Sequence, residues 1–137
     1  MRRIIAITLV GLAAIFGGAG SAAADSTTSR AAPCWAKAST FDIVKCFSRA
    51  GSQSDLKLNV LYEKIARVLD PANFGQLQEA ERLWIAYRDA TCKAEKSLWD
   101  GGTGGNPAYV ASIDDETRHR LDYLQLTYRL RLQKLER

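Results

Sequence analysis

The stretch FGQLQEAERLWIAYRDATCKAEKSLW, residues 74–99, is the longest periodic segment of the 137-residue chain. Leu77, Ala80, Trp84, Tyr87, Thr91, Ala94 and Leu98 recur at alternating steps of three and four, the spacing of one face of an α-helix. No run with the period of a β-strand competes with it. The reading of this stretch decides the fold class, and the flanking sequence agrees with it.

Upstream, LDPANFG (69–75) interrupts the pattern, because Pro71 cannot continue a helical hydrogen-bond ladder and disfavours helix at Asp70. Before it, Leu58, Leu61, Ile65 and Val68 form a second apolar face, introduced by the capping pattern SQSD (52–55). STFD (39–42) marks an earlier, short helix, with Ser39 or Thr40 as cap and Gly51 as its stop. Downstream, DGGTGGNPA (100–108) reads as a loop. A last helix starts near Pro107 or Ile113, with Leu121, Leu124, Tyr128, Leu132 and Leu135 as its seam. The expectation is an all-α fold, a small antiparallel bundle of about four helices, one of them short and two long.

The first residues set the compartment. Arg2 and Arg3 precede the uncharged apolar run 4–20, and SAAAD offers small residues at Ala22 and Ala24. A membrane anchor is the competing reading, but the run is short for a span and fades into glycines. Residues 1–24 therefore read as a cleaved signal peptide, 25–33 as a flexible leader and 34–137 as one helical domain, periplasmic or secreted, with no integral span left after cleavage. From Asp25 onward, 17 Lys/Arg face 15 Asp/Glu, too even a balance to argue for nucleic acid. The segment from Arg118 onward holds six basic and two acidic residues. It is either a solvated face or a contact for an anionic membrane or cell-wall polymer.

Chemistry finds little support. Cys34 and Cys46 are close enough in sequence to pair in an oxidising compartment, although three cysteines allow three single pairings. Cys92 is left as a free thiol, buried or paired with another molecule, and the one histidine, His119, lies in a different helix. One His and three Cys at these spacings fit no zinc pattern. The acids 114–116 read as a helix-start cluster that complements the helix dipole. No catalytic residue, metal site or cofactor is expected, and the chain reads as a non-enzyme. On a helix, Trp84, Tyr87, Arg88, Thr91 and Cys92 share a broad face and Asp89 points elsewhere. Asp55, Asn59 and Tyr62 share a face of the preceding helix, so Arg88 is expected to meet Asp55 or Asn59 beneath Trp84.

Together these elements resemble the LprI-type lysozyme-inhibitor-like family of small exported bacterial helical domains. Cys34 and Cys46, DLKLNVLY with Asp55, Leu58, Asn59 and Tyr62, WIAYRDATC, GGTGG, and Thr117 with Arg120 carry the resemblance, which covers about residues 34–130. One position departs from the pattern: the family's last cysteine, the partner expected for Cys92, is Ser112 here. That implies a free Cys92 and a looser 100–112 segment. The resemblance also implies inhibition of lysozyme or another cell-wall hydrolase by protein–protein contact, in host defence or as immunity against a competing bacterium. The loop with Trp99, Gly101, Gly102, Thr103, Gly104, Gly105 and Asn106 is best shaped to enter a glycan groove, although ordering its glycines costs free energy. Animal lysozymes are basic, so acidic surfaces are expected to face the enzyme and the arginine-rich helix to point away. The alternative is an envelope-binding module whose basic C-terminal helix sits on an anionic surface.

Overall fold

The computed structural model describes residues 33–134. The signal-peptide and leader assignments for 1–32, and Leu135 of the last seam, lie outside the described residues. A helical turn, α1 (33–35), precedes three long helices: α2 (Thr40–Val68), α3 (Pro71–Ser97) and α4 (Gly105–Leu132). Among the described residues there is no strand, and none of the helices is long and apolar enough to cross a membrane. The architecture is the all-α bundle expected from the periodicity.

Local chemistry sets the helix starts. Ser39 caps α2, accepting from the Asp42 backbone N–H at 3.1 Å while its hydroxyl donates to the Asp42 carboxylate at 2.6 Å. Asp70 caps α3 by accepting from the Asn73 N–H at 3.0 Å, and Pro71 occupies the first turn, where its missing N–H costs nothing. These hydrogen bonds hold the exposed Asp70 carboxyl below its usual range. The helix therefore begins at Pro71 and not near Phe74.

The break expected at Gly51 is absent, and α2 runs through it for 29 residues. Phe47, Gly51, Ser54 and Leu58 are all buried, one continuous face whose packing overrides the weak local preference of glycine. The SQSD hydroxyls do not cap a second helix. Ser52 donates back to the Ser48 carbonyl at 2.9 Å, and Ser54 reaches Asp114 of α4 at 2.7 Å.

Contacts such as Ser54–Asp114 and Glu81–Arg120 give the direction of each helix. α2 and α4 run parallel, α3 runs antiparallel to both, and α4 makes its larger interface with α2. Two apolar clusters result. Leu58, Leu61, Ile65, Leu77 and Leu124 form the larger, and Cys34, Phe47 and Ala111 the smaller. The Cys34–Cys46 disulfide, with Cα atoms 5.5 Å apart, ties α1 to α2 beside the smaller cluster. Closing a loop of this size contributes about 3 kcal/mol in the chain-entropy view, a large share for so small a core.

A methyl group fits at Gly51, since a Cβ there would meet the Asp114 Cβ at an ordinary 3.9 Å. Gly51→Ala should therefore raise unfolding stability by about 0.5–1 kcal/mol through helix propensity. Urea unfolding followed by circular dichroism checks this, and a loss of stability would mean that α2 is not continuous there.

Candidate functional site

A polar layer lies between the two apolar clusters. Asp114, 5% exposed, accepts from the Ser54 hydroxyl at 2.7 Å and from Arg118 Nε at 3.1 Å. Arg118 also contacts Asp115. The acids 114–116 thus do not serve a helix start. α4 begins a full nine residues earlier at Gly105, which places Asp114 in mid-helix, facing α2.

A second group surrounds Trp84 and spans all three long helices. Arg88 lies over the indole, 5.2 Å from the ring centroid, and Arg120 of α4 approaches the same ring at 5.7 Å. Arg88 Nη1 is 3.8 Å from the Asp55 carboxylate of α2, and Arg88 also donates to Asp89 at 3.0 Å, so Asp89 does not point away. Arg120 donates two hydrogen bonds to one oxygen of Glu81, at 2.6 and 3.1 Å, with both side chains 14% exposed. Glu81 also faces Tyr62: burial first, and then the Glu81 charge, push the phenol above its usual range. Tyr62 packs on Phe74 at 5.6 Å.

The structure brings Asp55, Tyr62, Trp84 and Arg88 together, and leaves Asn59 and Tyr87 exposed on the outside. The periodic stripe read from 74–99 is turned relative to the buried face. Leu77, Glu81, Trp84, Arg88 and Cys92 point inward, whereas Ala80, Ala94 and Leu98 are exposed. Glu81 and Arg120 are the partners that hydropathy misses, because a charged residue counts as outward until its partner on another helix is known.

Cys92 is a free thiol with no solvent exposure. Burial raises its pKa, and the Ser112 hydroxyl beside it lowers it by less. Such a thiol is a poor nucleophile at neutral pH. Among the described residues no cluster of His, Cys, Asp or Glu is arranged to hold a metal ion.

The glycine-rich segment is more ordered than its composition implies. The expected looseness of 100–112 is not found: Gly105, Pro107, Ala111 and Ser112 are buried in α4. The connection is a compact turn over 98–104, with the Gly102 N–H donating to the Trp99 carbonyl at 2.6 Å and the Gly105 N–H to the Gly102 carbonyl at 3.1 Å. Asp100 (φ 44°) and Gly101 (φ 79°) take left-handed conformations, which Asp and Gly accept more readily than other residues. A Cβ on Gly104 would fall inside the Trp99 ring, so the absence of a side chain there seats the indole. Trp99 is still 49% exposed, and Gly101, Gly102, Thr103 and Asn106 lie at the surface.

Arg120→Ala should cost about 2–4 kcal/mol of stability, because it leaves Glu81 nearly buried without a partner. Replacing the pair together by Glu81→Leu and Arg120→Met should recover most of that loss in chemical denaturation, and equal losses would show that a stranded Glu81 charge is not its cause. Cys92 should resist alkylation at pH 8 until the chain is unfolded. Ser112→Cys should oxidise against it, removing two hydrogens in intact-mass spectra and adding about 3 kcal/mol. Two titratable thiols in the native variant would refute the placement of Ser112 beside Cys92.

Residues 34–124 match the family described as lysozyme inhibitor LprI. No curated protein and no solved structure matches the chain. The family match takes in both disulfide cysteines, the Trp84 group, the 98–104 turn and α4 as far as Leu124. With more than half of its residues inside that match, the chain belongs to the LprI lysozyme-inhibitor family.

Proposed function

We propose that this chain is an exported, non-enzymatic protein that blocks lysozyme or a related cell-wall hydrolase by protein–protein contact. The observation that carries this reading is the end of the bundle where α2 and α4 begin and α3 finishes. Four large apolar side chains are exposed there: Trp35 (46%), Phe41 (73%), Leu98 (80%) and Trp99 (49%). Exposed aromatic side chains on a held backbone are the usual anchors of protein interfaces.

Both tryptophans are supported from behind. Trp35 packs edge-on against buried Phe47 at 5.0 Å, next to the disulfide, and Trp99 rests on Gly104. The hydrogen-bonded turn lowers the ordering cost that a free glycine loop would bring to binding. Arg129 and Arg131, in the last turn of α4, are at the opposite end from this surface, which carries Asp42 and Asp100 but also Lys93 and Lys96. A basic hydrolase therefore meets a mixed rim around an apolar centre. The disulfide fits an oxidising compartment, periplasmic or extracellular.

The test is lysozyme turnover at physiological salt without reductant. The wild-type chain should inhibit in a saturable, stoichiometric manner, and Trp99→Ala should weaken inhibition by roughly thirtyfold or more, the effect of losing an interface hot spot. No inhibition of animal or bacterial hydrolases at large molar excess would remove this reading.

A further inference from the structure

Away from that end, the α2–α4 seam opens into one continuous groove. Its two halves have volumes of about 340 and 590 Å³ and share Leu61, Lys64 and Gln125. Leu61, Leu121 and Leu132 form its apolar floor. Four cations line it: Lys57, Lys64 and Arg67 from α2 and Arg129 from α4. No acidic residue is among the lining side chains. None of the four cations has an ion-pair partner among the described residues, which leaves their charge available to a ligand.

Apolar side chains stand beside these charges on both rims. Leu56 and Val60, next to Lys57 on α2, are 66% and 54% exposed. On α4, Leu126 and Leu130 lie outside the groove lining, one position round the helix from Gln125 and Arg129, and are 70% and 71% exposed. The residues that protrude furthest are thus on the rims and not in the floor, so a flat partner reaches them before a rod lying in the groove would. Glu63 and Asp122 do not line the groove, but each is exposed one helical turn from a rim residue, Val60 and Leu126, so the four cations outnumber two acids on this face.

We infer that this α2–α4 face docks on the surface of an anionic phospholipid bilayer. Phosphates pair with Lys57, Lys64, Arg67 and Arg129, and Leu56, Val60, Leu126 and Leu130 enter the headgroup region. A second copy of the chain is a poor occupant, because a two-fold contact would bring the four cations against themselves. A polyanion without apolar groups would satisfy the charges and leave the leucines in water. The combination of basic and apolar side chains is what an interfacial surface requires. This face is separate from the apolar end assigned to hydrolase contact, and either assignment stands without the other. It also moves the basic contact expected of the C-terminal helix largely onto α2.

The test is co-sedimentation of the chain from Asp25 onward, which keeps every contact described above. Vesicles of phosphatidylcholine with about half phosphatidylglycerol should capture it, vesicles of phosphatidylcholine alone should not, and capture should fade by about 0.3 M salt. Lys57→Glu with Lys64→Glu should reduce capture by roughly tenfold or more. Leu56→Ser with Val60→Ser should reduce it severalfold, with unchanged circular dichroism and unchanged lysozyme inhibition. Absence of capture at low salt would overturn the proposal, as would wild-type capture by the charge-reversed variant. Full capture by the serine variant would also overturn it, leaving a site for a polyanion or an acidic protein instead of a bilayer.

Discussion

The Asp114 carboxylate is the constraint on which the bundle depends. It is nearly buried between two small apolar clusters, and a charge in that position must be paired and hydrogen-bonded to be tolerated. Ser54 of α2 and Arg118, one turn further along α4, supply the partners. Sliding α4 by a turn against α2 would part Asp114 from Ser54 and carry the Asp114–Arg118 pair, which lies within α4, against apolar side chains, at a cost of about 1.5–3 kcal/mol for the lost hydrogen bond to a charged group. Apolar packing alone is permissive about register in a core this small. The polar layer removes that freedom, and with it the parallel α2–α4 pair acquires one alignment.

The third helix is tied in by a different device. α3 and α2 make little close backbone contact, so side chains must bridge them. Trp84 provides the surface for this bridge. One guanidinium comes from α3 itself and one from α4: Arg88 is hydrogen-bonded to Asp89 on its own helix and reaches Asp55 on α2 at 3.8 Å, and Arg120 is held by Glu81 on α3. The arginine stems cover apolar area while their heads stay hydrogen-bonded, which lets charged residues occupy a buried helix face. Tyr62 and Phe74 close the group near the α2–α3 turn.

These two devices explain how far the sequence could be read. Periodicity identified the all-α class and the core residues of α2 and α4, because Leu58, Leu61, Ile65 and Leu124 follow helical spacing directly. It misplaced features decided by partners distant in sequence. Gly51 looked like a stop because its neighbours across α4 are invisible locally. Asp114 looked like a helix-start acid because Pro107 and the glycines hid a start at Gly105. The α3 stripe was read one position off, since its inward residues include Glu81 and Arg88, which hydropathy assigns to solvent. Of the candidate loop, the apolar and glycine character of Trp99 and Gly104 was legible. That one exists to seat the other was not, because it depends on a close approach between turn and ring.

The apolar end is held unevenly, and this bears on how the domain would work outside a cell. On the α1–α2 side a covalent bond fixes Cys34 to Cys46, with Trp35 and Phe47 packed nearby. On the α3–α4 side the position beside Cys92 is Ser112, so the Trp99 turn is held by packing and backbone hydrogen bonds alone. Reduction therefore acts on one half of the surface and leaves the other untouched. A bond in the turn costs little to open, whereas the disulfide restrains the chain even when the helices fray. A partner that presses on this end would thus meet one fixed tryptophan and one that can adjust. The free energy of that adjustment is small because Gly104 and the left-handed Asp100–Gly101 pair already order the turn that carries Trp99.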